Sequence, residues 1–414
     1  MRLELSDLKE IQTLYDGGLY LKAFEKSKAF GPLSAWEGPE AMVLAGRLAG
    51  NLGGDRLAQK LFVRAHRRWP GHPKTKAYYV QYLLGRRGPL EALRCLQSCP
   101  DGKDIDLEDR HYLLCQRAEA LGRFRDFDRA HHWLDLAEAL DPRHPWQPVI
   151  RAAVFEWQDR YEEALAQCNL SLERKPYYRP AIQTRAHLLQ ILNRDEEAMQ
   201  TLAEALDRIE SGRLAHFLGG IQLSNELLDA AERSFERFEA LSPLLDAKEK
   251  PVIAALRGRV AYLRGDFETA ARFYETQKDE RCKMFAARLR EPVSAPHRKV
   301  IDVPFERQHH MTCVPATLTM ISRRWNMPAD HLAVAEEICV FGTPAHSERH
   351  WAETHGWVAR EFTVTWEATV ALIDAGIPFT LTTGDVMQGH LQAVVGYDRI
   401  AGALVVRDPY QYYL

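Results

Sequence analysis

The chain has no stretch of about 18 consecutive apolar residues, the length a bilayer-crossing helix needs, so no membrane span is expected. Residues Met1 to Glu10 alternate charge with leucine and lack the apolar centre of a signal peptide. An excess of either charge is also missing. The 54 Lys and Arg stand against 57 Asp and Glu, for a net charge of -3. That balance offers no footing for a nucleic acid or an anionic membrane surface as partner. Cysteine is scarce and odd in number: the seven are Cys95, Cys99, Cys115, Cys168, Cys282, Cys313 and Cys339. Scattered in this way they make no disulfide framework, and most sit among apolar neighbours like inert core thiols. The expected compartment is the reducing cytoplasm. What remains is 46% hydrophobic and 27% charged over 414 residues, a globular composition long enough for two or more domains.

Residues 1–290 repeat. An aromatic-x-x-Ala signature places alanine at Ala23, Ala58, Ala92, Ala130, Ala164, Ala198, Ala231 and Ala270, at intervals of 33 to 39 residues. Tyr20, Phe127, Tyr161 and Phe267 lie three positions before their alanines, with Leu228 substituting in one unit. Pro70, Pro142, Pro176 and Pro243 lie twelve positions after theirs, where a second helix would end. The long intervals before Ala130 and Ala270 imply insertions near Asp101-Gly-Lys and Ser242-Pro-Leu-Leu-Asp. This pattern resembles the tetratricopeptide repeat, a helix-turn-helix unit of about 34 residues that buries its apolar face only by stacking on neighbours. Gly17-Gly18, Gly53-Gly54 and Gly219-Gly220 are expected at the hairpin turns, with no phosphate-binding role.

Beyond Arg290 the pattern changes. Residues 291–303 read as a linker, and 304–414 as an α+β domain. Helical spacing appears at Cys313–Trp325, Ser347–His355 and Trp366–Ala375. Strand-like alternation appears at Trp357–Val364, Pro378–Thr382, Leu391–Tyr397 and Ala403–Val406.

Four residues of this domain carry chemistry. Cys313, Ala316, Thr317, Met320, Ile321 and Arg324 share one helical face, with Thr312 as N-cap, so Cys313 sits in the first turn. There the helix dipole and free N–H groups stabilise a thiolate. His390 opens one strand and Asp408 closes the next. A turn centred near position 400 pairs Asp408 with Gln392, two residues from His390 and on its face of the sheet. A carboxylate so placed orients the imidazole while the other ring nitrogen faces the sulfur. Gln308 offers a side-chain amide to an oxyanion, alongside the Cys313 N–H. His309 and His310 are too close in sequence to converge on one ion. His346-x3-His350, with Glu353 and His355, has helical spacing but reads as a solvated face; no metal or other cofactor is expected.

Gln308 to Arg323, Gly389-His390 to Asp398, and Val405 to Pro409 resemble the bacteriocin-processing (double-glycine leader) cysteine peptidases. Trp351 to Gly356 and Ile373 to Pro378 are similar to the middle of that family. The resemblance implies a papain-like fold for 304–414, with Cys313 as nucleophile, His390 as general base, Asp408 as orienter and Gln308 as oxyanion donor. This chain has Val314 where the family has glycine, and Thr312 where an acidic residue is common. It stops at Leu414, where relatives continue, so a truncated domain is expected. The expected whole is an all-α tetratricopeptide solenoid followed by a papain-like cysteine peptidase domain. It would hydrolyse a protein or peptide substrate, with a protein partner in the repeat groove. The alternatives are a non-catalytic peptide-binding scaffold, or an acyltransferase or deamidase using the same triad.

Overall fold

In the computed structural model, residues 4–97, 105–292, 297–384 and 389–410 are described. The expected insertion near Asp101 and the chain end at Tyr412–Leu414 lie outside them. The chain divides into two compact units, residues 1–260 and 261–414.

The first unit is built of paired helices. They are α1 (Leu5–Asp16) with α2 (Tyr20–Ser27), α3 (Pro39–Asn51) with α4 (Asp55–Arg68), α5 (Pro73–Arg86) with α6 (Pro89–Gln97), and α7 (Leu107–Arg123) with α8 (Phe127–Leu140). Then follow α9 (Trp146–Trp157) with α10 (Tyr161–Arg174), α11 (Arg179–Ile191) with α12 (Asp195–Leu206), α13 (Gly212–Ser224) with α14 (Leu228–Ala240), and α15 (Lys250–Leu263). Every signature alanine of this unit lies on the second helix of its pair and is buried, Ala58 being the most exposed at 5%. A methyl there lets the helices approach closely, and a larger side chain would separate them. Helices α4, α8, α10 and α14 each stop within three residues of the proline that the repeat pattern supplies.

The array of this unit closes on itself. Glu210 N donates to Gly18 O at 2.9 Å, Leu244 N to Leu52 O at 3.0 Å, and Asp246 N to Gly53 O at 3.2 Å. Neither α2 nor α4 has a side-chain cap of its own. Their first-turn amides are met from far along the chain: Lys22 N donates to Glu210 Oε2 at 3.0 Å, and Arg56 N to Asp246 Oδ2 at 2.9 Å. The glycine pairs at positions 17–18 and 53–54 therefore do more than turn. Gly18 has φ +76°, and a Cβ there would lie 2.4 Å from Ile209 Cγ2. Gly219-Gly220, expected at a turn, lies instead within α13, where a Cβ on Gly219 would strike the Phe235 ring at 2.7 Å.

The second unit holds α16 (Phe267–Glu275), α17 (Glu280–Leu289), β1 (Arg298–Val300), α18 (Cys313–Arg324), α19 (His331–Ile338), α20 (Ala345–Thr354) and α21 (Trp366–Asp374). Strands β2 (Phe379–Gly384), β3 (Gly389–Asp398) and β4 (Ala403–Arg407) complete it. All pairing is antiparallel and centres on β3, which β2, β1 and β4 each join. Helices α18 and α21 lie against β3, burying Met320, Ile321 and Ile373 with Val394, Val395 and Tyr397.

Three expectations about this region change. Arg298–Val300, inside the expected linker, is a strand, and Ile301 N donates to Val395 O at 2.7 Å. Its approach is so close that a Cβ on Gly396 would meet Lys299 O at 2.3 Å. Trp357–Val364 forms no strand: its alternation has no pairing partner, and Val358 and Phe362 stay exposed. Finally, the α16–α17 segment, inside the 1–290 array by its repeat signature, packs with the β3–β4 turn. Ile400 joins the cluster of Ala270, Ala271, Ala286 and Leu289, and Tyr262 Oη donates to Asp398 Oδ2 at 2.7 Å.

Candidate active site

The β3–β4 hairpin places His390 and Asp408. Near its turn Gly396 pairs with Val405, while farther along Val394 pairs with Val406 and Ala393 with Arg407. The bulge at Val395 takes up one residue, and one step beyond Ala393 the side chains of Gln392 and Asp408 meet. His390 Nε2 lies 2.8 Å from Asp408 Oδ1, and Gln392 Nε2 donates to Asp408 Oδ2 at 2.9 Å. Tyr410 N adds a third donor, 2.8 Å from Oδ1. Held by three groups, the carboxylate fixes the ring through Nε2 and leaves Nδ1 for chemistry.

Helix α18 brings Cys313 to the same neighbourhood. One turn past the cysteine, the fully buried Thr317 donates from Oγ1 to Leu391 O at 3.1 Å, at the residue after His390. The Cys313 side chain is partly buried and packs on the cluster of Val314, Leu318, Val334, Ile338, Trp351 and Leu391. Cys313 is thus less buried than Cys168, whose thiol burial pushes up to about 12. Among the described residues no hydrogen bond joins Cys313 to His390; the link between them runs through the α18–β3 contact.

The loop before Cys313 is tied at both ends. Gln308 N donates to Pro409 O at 2.9 Å, which sets residue 308 beside the Asp408 turn. Its side-chain Oε1 is buried without a partner, while Nε2 reaches only His309 O at 3.5 Å. Thr312 stands at the N-cap position of α18 but does not cap it. Its φ of -110° and ψ of 34° lie outside the extended region a capping residue adopts. Its Oγ1 instead accepts from His309 N at 2.9 Å and lies 2.8 Å from Nε2 of the buried His331. Nδ1 of His331 faces Glu306 Oε1 at 3.6 Å, and Glu306 is also paired with Arg323. Burial works against the Glu306 charge, but the nearby His331 and the Arg323 guanidinium outweigh it and hold its carboxyl below the usual range.

The structure thus unites His390 with Asp408 directly, and brings Gln308 and Cys313 to them through backbone and helix–strand bonds. Three supports were not singled out from sequence: Gln392 as donor to Asp408, Thr317 as the α18–β3 tie, and the Glu306–His331–Thr312 chain. Gln392 had a signal, since the strand register already set it opposite Asp408. Nothing local marks His331, which lies 19 positions from its Thr312 partner. His346 and His350 are exposed on α20.

Residues 300–413 match the family model described as Peptidase_C39 like family. No curated protein matches the chain. Among solved structures, a human IFIT1 dimer is similar at 16% identity over 65% of this chain and 70% of that one, with a TM-score of 0.41. A tetratricopeptide repeat protein from Parabacteroides merdae is 16% identical over 62% of this chain and 97% of its own, with a TM-score of 0.38. Pseudomonas aeruginosa PilF is 15% identical over 49% and 89%, with a TM-score of 0.37. The chain therefore joins an N-terminal helical solenoid to a C-terminal α+β region that matches the C39-like peptidase family.

Proposed function

We propose that the C-terminal region from β1 onward acts as a cysteine peptidase and that the N-terminal repeat array recruits its protein or peptide substrate. The observation that carries this reading is the 2.8 Å His390–Asp408 pair on the strand to which α18, headed by Cys313, is tied by Thr317. A nucleophile, a base and an oriented carboxylate on three distant segments are the parts of an acyl-transfer site.

The steps follow from the atoms available. His390 Nδ1 accepts the Cys313 thiol proton, and the thiolate attacks the substrate carbonyl carbon. The oxyanion receives hydrogen bonds from Cys313 N–H and the Gln308 amide. As the C–N bond breaks, His390 returns its proton to the leaving amine, leaving a thioester on Cys313. Water then attacks that thioester with His390 as base, and the sulfur regains its proton when the acid departs. Cys115, Cys168, Cys282, Cys313 and Cys339 carry free thiols, which suits the reducing cytoplasm we assign to the protein.

The test is a pH series of thiol alkylation with peptide mapping. An activated Cys313 labels selectively at about pH 6, and His390→Ala abolishes that selectivity. If Cys313 reacts no faster than Cys339 or Cys95, the peptidase reading fails and the non-catalytic scaffold takes its place.

A further inference from the structure

The buried imidazole of His331 takes no part in the steps above, yet it is built into the loop that carries the nucleophile. It stands at the start of α19, where Asp330 Oδ1 caps the helix by accepting from Ala333 N at 2.9 Å. Val334 and Ile338 of the same helix belong to the cluster that Cys313 packs against, so the ring rides on a fixed support. The rings of His331 and His309 meet edge to face, with centres 5.1 Å apart. Glu306 Oε1 faces Nδ1 at 3.6 Å, and Nε2 lies 2.8 Å from Thr312 Oγ1. A carboxylate on the Nδ1 side favours the tautomer with its proton there, so Nε2 accepts from the Thr312 hydroxyl.

That bond decides what the first turn of α18 exposes. A threonine at the head of a helix ordinarily accepts from the N–H two or three residues on. The third residue on is Pro315, which has no N–H, so Val314 N–H is the one Thr312 would take. Instead the hydroxyl is turned to His331, with the Thr312 backbone at φ -110° and ψ 34° following Met311 at φ +64°. Cys339 Sγ donates to Met311 O at 3.4 Å and supports that turn from the other side. Helix geometry leaves first-turn amides without an intrahelical acceptor. Among the described residues, the N–H groups of Cys313 and Val314 find no other acceptor.

We propose that His331 is a positioning residue for acyl transfer: by holding the Thr312 hydroxyl, it keeps Val314 N–H open as a donor to the oxyanion, beside that of Cys313. Adjacent amides of one helix start point along its axis together, and the positive end of the helix dipole adds to both. The Gln308 side chain contacts His309 O at 3.5 Å and can rotate, whereas these two donors are fixed by the helix. The assignment rests on the peptidase reading given above and adds one residue and one backbone donor to it.

Two reagents applied to the full chain separate this role from simple support of the fold. p-Nitrophenyl acetate acylates a thiolate through a tetrahedral oxyanion and releases p-nitrophenolate, whereas iodoacetamide displaces iodide at a saturated carbon and forms no oxyanion. The ratio of acetylated to carbamidomethylated Cys313, read by peptide mapping, therefore reports the oxyanion donors rather than the thiolate content. His331→Phe keeps an aromatic ring but frees the hydroxyl to cap Val314, and the ratio should fall about tenfold or more. His331→Gln offers an amide in place of Nε2 and should hold the ratio near that of the unaltered protein. Thr312→Val in the His331→Phe background leaves nothing to cap Val314 and should restore the ratio. An unchanged ratio in His331→Phe, a double variant no better than His331→Phe, or His331→Gln as low as His331→Phe each overturns the proposal and leaves the peptidase reading in place. Cys313 that alkylates but does not acetylate in the unaltered protein removes both.

Discussion

Thr312→Val is the substitution that most sharply separates a built nucleophile loop from an incidental one. Valine keeps the shape of threonine but removes the hydroxyl, which accepts from His309 N at 2.9 Å and lies 2.8 Å from His331 Nε2. Thr312 is 8% exposed and His331 3%, so solvent does not replace what is lost. Each buried group deprived of its partner costs about 1–3 kcal/mol. The two belong to one network, and removing the hydroxyl also relieves its own burial, so about 2–4 kcal/mol is expected rather than the full sum. Thr312→Ser keeps the oxygen and loses one methyl, at about 1 kcal/mol or less. Hydrogen exchange of residues 298–410 in a urea series, read by mass spectrometry, measures this region by itself. The valine variant should open at clearly lower urea and lose selective Cys313 alkylation, while the serine variant keeps both. Equal stability of the two variants would refute the claim that this hydroxyl organises the loop.

Three further outcomes are expected. Because the Glu306 carboxyl is held below its ordinary value of 4.5, the stability it contributes is complete above that pH and is lost as pH falls through the depressed folded value. Glu306→Gln should therefore flatten the acid limb of unfolding below about pH 4.5 and leave the neutral side without that contribution. Gln392→Leu removes one of three donors to Asp408 and should lower selective Cys313 labelling by up to about tenfold, less than Asp408→Asn does. Labelling as fast as in the unaltered protein would deny Gln392 a positioning role. Gly18→Ala puts a Cβ 2.4 Å from Ile209 Cγ2 at a φ of +76°, and should destabilise the closed array by about 2–4 kcal/mol in urea titration. Ile209→Ala, which removes Cγ2, should cost less in that background than in the unaltered protein, and an unchanged midpoint for Gly18→Ala would show that the closure contributes nothing.

The repeat array was legible because its cause is local and periodic. A buried alanine on each second helix recurs at nearly constant spacing, four of the eight units add a proline twelve positions later, and each unit has the same packing problem to solve. The placement of Cys313 at a helix start and of Asp408 opposite Gln392 was legible for a similar reason, since helix and strand periods fix which side chains share a face. Even so, the register rests on the Val395 bulge, which no residue type announces. Trp357–Val364 alternated like a strand and found no partner, while Arg298–Val300 carried no pattern and found one, because pairing is decided by what lies alongside.

What the amino-acid order determined by itself was therefore the set of elements and the identity of the reactive groups. Only the tertiary structure decided that Gly18 and Gly53 lie against residues 209–246, and that Thr312 serves His331 rather than its own helix. These contacts join positions far apart in the chain, and their energies depend on distance and burial in space, which sequence spacing does not encode.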